Sequence, residues 1–166
     1  MKAGYMAAPV RIDSGLLAGA GEVRAGIRAW LGIPFAAPPV GALRWRAPAP
    51  VSGWDGVRQA DRFAAQCVQP GRAADSVYAE FAGVQAMSED CLYLNVWAPA
   101  QTPAAALPVM VWIHGGAFQQ GSGANPVFVR GDLPQQGVVL VTINYRLGPL
   151  GFMAHPELSR EAQGAS

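Results

Sequence analysis

Apolar residues are concentrated in three short runs in the second half of the chain. The runs are Leu92–Trp97, Pro108–Ile113 and Val138–Tyr145. The second is a compact apolar run, and the third is rich in β-branched residues and apolar on both faces. Such runs are typical of strands that are covered on both faces by helices. We therefore expect strands of one sheet at these places.

The first third of the chain is rich in glycine and proline. We expect a short hairpin that pairs Val10–Ile12 with Glu22–Arg24, with turns at Gly15, Gly19 and Gly21. Ile27–Ile33 is a further predicted strand. The prolines between residues 34 and 50 enforce an extended path because proline fixes φ and restricts the residue before it.

Few segments of the chain have a helical pattern. Arg58–Cys67 and Asp75–Met87 are weak helix or loop candidates, and the residues from His155 onward begin one short helix at most. The predicted fold class is α/β, yet these helices are too few to cover the sheet on both faces. We therefore expect an incomplete fold.

Composition excludes several classes of function. The chain has 166 residues, 51% hydrophobic and 14% charged, which suits one folded domain and argues against disorder. The net charge is +1 without a basic stripe, so nucleic acid is not an expected partner. No apolar run approaches the roughly 20 residues of a membrane span. The two histidines lie far apart, so no metal site is expected.

The two cysteines leave the redox compartment open. Cys67 and Cys91 do not form a Cys-x-x-Cys pair, so they are either a disulfide or two buried thiols. Residues 1–26 do not resemble a signal peptide, because polar and turn-forming residues interrupt any apolar stretch. From composition alone we expect thiols and a cytoplasmic location.

The motif with the clearest chemistry follows the second apolar run. The run ends in His114-Gly115-Gly116-Ala117-Phe118. Glycines allow unusual backbone angles, so several N–H groups can converge on one point, as the oxyanion of a tetrahedral acyl intermediate requires. A His-Gly-Gly loop after a strand accompanies the Gly-x-Ser-x-Gly elbow of lipases and esterases. The alternative is an ordinary glycine turn.

Three further blocks carry a family resemblance. They are Gly32–Trp45, Ser88–Trp97 and Asn144–Gly148 with the following Gly151 and Phe152. In this order the blocks resemble type B carboxylesterases, the group of the bacterial para-nitrobenzyl esterases and the cholinesterases. The resemblance implies an α/β-hydrolase fold: an N-terminal hairpin and the first strands of a mixed, mostly parallel sheet. It also implies that residues 1–166 are the N-terminal portion of a single domain.

The resemblance assigns roles to the glycine loop. The N–H groups of Gly116 and Ala117 would be oxyanion donors, Gly115 would be the turn residue, and His114 would orient the loop rather than act as a base. Two further residues would line the substrate gorge: Phe118 and Gln119.

The resemblance also bears on the cysteines. It implies that Cys67 and Cys91 form the first disulfide of the family, which would suit a secreted or periplasmic protein. In cholinesterases the enclosed loop carries a Trp that binds a cationic group. Here Ser76–Met87 contains only Tyr78 and Phe81 as aromatic residues, so a site of that kind is not expected.

Two charged residues occupy positions where the family forms an ion pair. The resemblance implies that Arg44 and Glu89 pair in a buried setting. The role would be structural, because a buried charge without a partner costs several kcal/mol. The alternative for each is a solvated charge.

The catalytic serine of the family has no counterpart in this sequence. No Gly-x-Ser-x-Gly is present, and Ser122, which lies between Gly121 and Gly123, has the wrong spacing. The expected function is hydrolysis of small-molecule carboxylic esters through an acyl-enzyme, without a cofactor. The missing remainder of the esterase would be the partner. The alternatives are a non-catalytic adhesion or scaffold relative, and an inactive truncated product.

A missing strand has a structural consequence. We expect it to pair beside Val138–Tyr145, so that this run becomes an open, apolar sheet edge with both faces uncovered. Long hydrophobic edges without charge or proline are templates for aggregation.

Overall fold

The computed structural model describes residues 8–71, 85–101, 106–125 and 132–162. The strands in these ranges are β1 (Val10–Ile12), β2 (Gly15–Gly19), β3 (Gly21–Arg24), β4 (Ile27–Pro34), β5 (Val57–Ala60), β6 (Gln66–Cys67), β7 (Met87–Ser88), β8 (Tyr93–Pro99), β9 (Val109–Ile113) and β10 (Val139–Ile143). The helices are α1 (Gly148–Phe152) and α2 (Pro156–Glu161), with 3-10 turns at Gly41–Leu43 and Leu133–Gln136. All three predicted apolar strands are confirmed, as β8, β9 and β10.

A five-stranded sheet in the order β3-β4-β8-β10-β9 organises the fold. The sheet is mixed, as predicted: the pairs from β3 to β10 are antiparallel, and β10 pairs with β9 in parallel. Among the described strands of this sheet, parallel pairing therefore appears only between β10 and β9, and the mostly parallel part that was expected is not among them. The fold is α/β, with only two short helices among the described residues.

The prediction that Val138–Tyr145 is an open edge is wrong. β10 lies between β8 and β9 and is hydrogen-bonded to both. It is a central strand, and Leu140 and Thr142 are buried within it. The physical reason is the direction of the chain after β9. The chain crosses over and returns as β10, parallel to β9, on the side of β9 that faces β8.

The open edge belongs to β9 instead. Within the described part of the chain, β9 pairs only with β10. Val109, Val111 and Ile113 are 61%, 54% and 64% exposed, and the residues on the other face of the strand are exposed as well. The strand that leads into the glycine loop is therefore uncovered on both faces and along one edge by the described residues.

The predicted hairpin pairing is also wrong. β1 pairs with β2 through a tight turn at Asp13 and Ser14, and β3 pairs separately with β4. Each strand pairs with its nearest neighbour in sequence because the turns are short. β2 also pairs in parallel with β5, so β1, β2 and β5 form a small second sheet. Val57–Ala60 and Gln66–Cys67 are strands, where a weak helix or loop was expected.

Most of the second weak helix candidate, Asp75–Met87, lies outside the described residues, and so do Tyr78 and Phe81. Met87 at its end belongs to the short strand β7.

The core lies on both faces of β4 and β8. On one face Ile27, Ala29 and Trp97 pack with Leu140 of β10. On the other face the small sheet covers the strands, and its Leu17 and Ala60 pack with Ile33. Removal of such side chains from water is the main stabilising contribution to this part of the fold. This core packs β8 against β10, and β10 in turn pairs with β9.

Candidate functional site

The glycine loop begins directly after β9 and makes a tight reversal. Gly116 has a φ of +120°, and a Cβ there would lie 1.8 Å from the carbonyl oxygen of Gln120, so only glycine fits. Ala117 and Phe118 have φ values of +54° and +60°. Positive φ at two successive non-glycine residues is costly, and such strain clusters at functional sites.

The N–H groups of residues 115–118 have no acceptor among the described residues, and two of them are the donors that the family resemblance assigns. The N–H groups of Gln119 and Gln120 both donate to the carbonyl oxygen of Gly116, at 3.0 and 3.1 Å. No described residue accepts a hydrogen bond from the N–H of Gly116 or Ala117. Backbone N–H groups are strong donors that seldom stay unpaired. Two adjacent unpaired donors are therefore available to an acceptor from outside the described chain.

His114 anchors the start of the loop. Its ring is buried and stacks on the ring of Tyr145 at 4.4 Å, and the hydroxyl of Tyr145 donates to the carbonyl oxygen of His114 at 2.7 Å. Nδ1 lies 2.8 Å from the carbonyl oxygen of Gly115, so it must carry the proton and donate. Burial lowers the pKa of His114 below its ordinary 6.5. The imidazole is therefore neutral near pH 7, which supports a role in orienting the loop.

Polar side chains of the sheet hold the far end of the loop. The N–H of Gly123 donates to Oδ1 of Asn144 at 2.9 Å, and its carbonyl oxygen accepts from the hydroxyl of Thr142 at 2.6 Å. Asn95 of β8 donates to the same hydroxyl at 3.1 Å. All three side chains are buried. The sequence did not lead us to predict that these three residues hold the loop. The signal that would have indicated it is a polar residue within an apolar strand, because a buried polar side chain needs a hydrogen-bond partner.

The loop tip faces an open cavity. Phe118 is 61% exposed, and its ring lies 4.7 Å from that of Phe152. The N–H of Gly148 donates to the carbonyl oxygen of Phe118 at 2.7 Å, which ties α1 to the loop. A cavity of 560 Å³ is lined by Ala117, Phe118, Gln119, Gly148, Pro149, Phe152 and Met153. Of these lining residues, the family resemblance assigned roles only to those in the loop. It assigned no role to the residues of α1.

Cys67 and Cys91 form a disulfide with a Cα–Cα distance of 4.9 Å. The expectation of two thiols is therefore wrong, and the pairing implied by the resemblance is present. Both residues are buried and pack with Leu147, which immediately precedes α1. The disulfide thus lies beside the elements that carry the loop and the cavity.

Arg44 and Glu89 form a bidentate ion pair. Nε of Arg44 lies 2.6 Å from Oε2 of Glu89, and Nη2 lies 2.7 Å from Oε1. The hydrogen bond from Arg44 lowers the pKa of Glu89. The side chains are 39% and 28% exposed, so the pair is half-exposed where a buried pair was expected. Solvent screening weakens a pair with this exposure.

The surroundings of Ser122 do not suit a nucleophile. It is buried, and its hydroxyl oxygen accepts a hydrogen bond from the N–H of Ala124 at 3.1 Å.

Among the described residues, no three or more His, Cys, Asp or Glu side chains are grouped so as to hold a metal ion. In the same ranges, no helix has the length and apolar character needed to cross a membrane.

Comparison with known proteins identifies a family for this arrangement. The model of the carboxylesterase family matches residues 7–165. The fumonisin B1 esterase of Sphingopyxis macrogoltabida is 53% identical over 140 residues, which are 84% of this chain and 25% of that protein. The para-nitrobenzyl esterase of Bacillus subtilis (strain 168) is 48% identical over 134 residues, 80% of this chain and 27% of that protein.

Solved structures show the same similarity. A para-nitrobenzyl esterase structure and a thermophilic para-nitrobenzyl esterase each superpose with a TM-score of 0.81 at 42% identity. Each match covers 95% of this chain and 31% of the other. The chain therefore spans about a quarter of the length of the curated relatives it matches.

Proposed function

Because the chain belongs to the carboxylesterase family, we propose that residues 1–166 form the N-terminal portion of a single serine carboxylesterase domain. In this proposal the chain supplies two donors of an oxyanion hole for the hydrolysis of small-molecule carboxylic esters. The nucleophilic serine, the histidine and the acidic residue belong to the remainder of the protein, as the chain order of this fold requires.

The observation that carries the proposal is the pair of adjacent N–H groups at Gly116 and Ala117. Neither has an acceptor among the described residues, and Ala117 lines the open cavity. When a serine attacks an ester, the carbonyl oxygen becomes negatively charged. Fixed donors near that oxygen stabilise the transition state more than the ground state. The strained backbone at residues 116–118 holds the donors in place before the reaction begins.

The remaining steps follow the acyl-enzyme route. The serine oxygen bonds to the carbonyl carbon, the histidine takes the serine proton, and the same proton passes to the leaving alcohol. Water then repeats the sequence and releases the acid. No metal or organic cofactor takes part in the proposed route. The aromatic rings of Phe118 and Phe152 beside the donors suit an ester with an apolar acyl or alcohol group.

The disulfide bears on the compartment. Disulfides form and persist in oxidising surroundings. We infer that the protein works outside the cytoplasm, in a secreted or periplasmic location, rather than in the cytoplasm expected from its first residues.

The test uses the full-length protein and the substitution Gly116→Ala. The added Cβ collides with the carbonyl oxygen of Gln120, so the loop must shift and the two donors move. Removal of an oxyanion donor costs roughly 10²–10³ in kcat, and we expect a loss of that order with little change in KM.

The matched control is Gly26→Ala. Gly26 also has a positive φ, of +77°, but a Cβ there meets no atom within 4 Å, and it lies in the β3–β4 turn. The Gly26→Ala variant shows the effect of placing an alanine at a positive φ without a steric clash. It should retain wild-type kcat. If Gly116→Ala keeps kcat within about threefold of wild type, Gly116 does not belong to the oxyanion hole.

A further inference from the structure

The base of the glycine loop closes on itself at Gly121. This residue has a φ of +128°, and a Cβ there would lie 2.1 Å from Nδ1 of His114 and 2.7 Å from the carbonyl oxygen of Gly115. Gly121 thus packs directly against the first two residues of the loop. Any movement of Gly121 must therefore be transmitted to His114 and Gly115, and from there to the following N–H groups.

One side chain holds Gly121 from outside the loop. The N–H of Gly121 donates to Oε1 of Gln69 at 2.8 Å, and Nε2 of Gln69 donates to the carbonyl oxygen of Gly121 at 2.9 Å. The amide side chain thus pairs with both polar groups of Gly121, in the way one strand pairs with another. Two parallel hydrogen bonds fix orientation as well as distance.

Gln69 is itself held by the disulfide segment. It lies two residues after Cys67, and its Nε2 also donates to the carbonyl oxygen of Cys67 at 3.1 Å. Cys67 is bonded to Cys91, which directly precedes the buried Leu92 at the start of the segment leading into β8. A continuous path of covalent and hydrogen bonds therefore runs from the central sheet through the disulfide and Gln69 to the base of the loop.

We propose that Gln69 is a positioning residue for the oxyanion hole, and that the Cys67–Cys91 disulfide sets the placement of Gln69. The proposal rests on the proposed function. Donors act when they lie about 2.7–3.1 Å from the developing oxyanion, and a misplacement of about 1 Å can cost about 10²-fold in rate. Release of Gly121 lets the loop base open, so Gly116 and Ala117 no longer aim their N–H groups at one point.

Two substitutions of Gln69 in the full-length protein test this. Gln69→Ala removes both hydrogen bonds to Gly121. Gln69→Glu keeps the size and the acceptor but replaces the donor by a carboxylate oxygen, which repels the carbonyl oxygen of Gly121. The matched control is Gln135→Ala: Gln135 also donates an amide hydrogen bond to a backbone carbonyl, that of Ala25, at 2.9 Å on another part of the surface.

The readout is kcat per active site, counted by titration with a nitrophenyl ester whose acyl-enzyme is hydrolysed slowly, or with a phosphonate. We expect both Gln69 variants to lose roughly ten- to hundredfold in kcat with KM within twofold of wild type. The affinity for a trifluoromethyl ketone, which forms an oxyanion in the site, should fall by the same factor. Gln135→Ala should change none of these. A side chain with a purely structural role would lower the number of titrated sites and leave kcat per site unchanged.

The disulfide is tested by a double-mutant cycle. Replacement of both cysteines by serine should lower kcat per site, and Gln69→Ala added to that variant should cost less than it does in wild type, because the two act through one path. If the losses in kcat per site caused by the two changes are fully additive, the disulfide does not act through Gln69.

The outcomes separate the two proposals. A wild-type protein without esterase activity refutes the proposed function. An active wild type whose Gln69 variants keep kcat per site and ketone affinity within threefold refutes the positioning role alone. If Gln69→Ala yields no folded protein, Gln69→Glu decides the question by the same criteria.

Discussion

The open edge of β9 leads to a prediction about the isolated 166-residue chain. Val109, Val111 and Ile113 are exposed by more than half of their surfaces, and the strand has no charge and no proline. An edge of this kind pairs with another chain. We expect the isolated chain to self-associate, with β9 of one copy against β9 of another.

The magnitude follows from the exposed side chains. Full burial of a valine or isoleucine contributes about 1.5–3 kcal/mol, and these three are a little over half exposed. Their burial in an association would contribute about 3–5 kcal/mol for each copy, before the backbone hydrogen bonds of the new strand pair. That is a large share of the stability of a typical domain, about 5–15 kcal/mol.

The perturbation is Val111→Lys, which places a charge in the middle of the edge. The control is Val23→Lys in β3, the opposite edge strand of the same sheet, where Val23 is 47% exposed between Glu22 and Arg24. Size-exclusion chromatography with light scattering should show oligomers for the wild type and Val23→Lys, and monomer for Val111→Lys.

A wild-type chain that elutes as a monodisperse monomer, with a cooperative urea transition, would refute this reasoning. So would equal suppression of association by both lysine substitutions, since the edge of β9 would then have no special role.

Three further predictions concern catalysis, pH and the disulfide. The isolated chain should not hydrolyse para-nitrophenyl acetate above a protein blank, because Ser122 is buried and hydrogen-bonded; a nitrophenol burst that disappears in Ser122→Ala would contradict this. Burial lowers the folded pKa of His114 below 6.5, so its contribution to stability is complete above pH 6.5 and is lost as the pH falls toward the folded pKa. Urea unfolding of the full-length protein between pH 7.5 and 5.5 should show this slope, and His114→Asn should flatten it. Replacement of Cys67 and Cys91 by serine should lower the free energy of unfolding by about 3 kcal/mol; a urea midpoint and slope equal to wild type would show that the bond does not stabilise the fold.

The strands were predictable from sequence because their signal is local. Consecutive apolar residues mark β9 and β10, and the structure places strands there. Their order in the sheet is not local: the same pattern fits an edge and a centre, and the sequence interpretation chose the wrong strand as the edge. The N-terminal pairing failed for a related reason, since glycine turns indicate that the chain reverses but not which strands then meet.

The glycine loop was predictable because its glycines stand in one short motif. The residues that hold the loop were not, because they act across long distances in sequence. Gln69 contacts Gly121 from 52 residues away, and Thr142 contacts Gly123 from 19. The pairing of Cys67 with Cys91 came from the family resemblance, since composition alone favoured thiols.

The central claim is that the N–H groups of Gly116 and Ala117 bind the oxyanion. The most direct measurement is a crystal structure of the full-length protein with a trifluoromethyl ketone bound to the catalytic serine. The account predicts that the ketone oxygen lies about 2.7–3.1 Å from the backbone nitrogens of both residues. An oxygen held by other donors, with either nitrogen beyond hydrogen-bond distance, would contradict it.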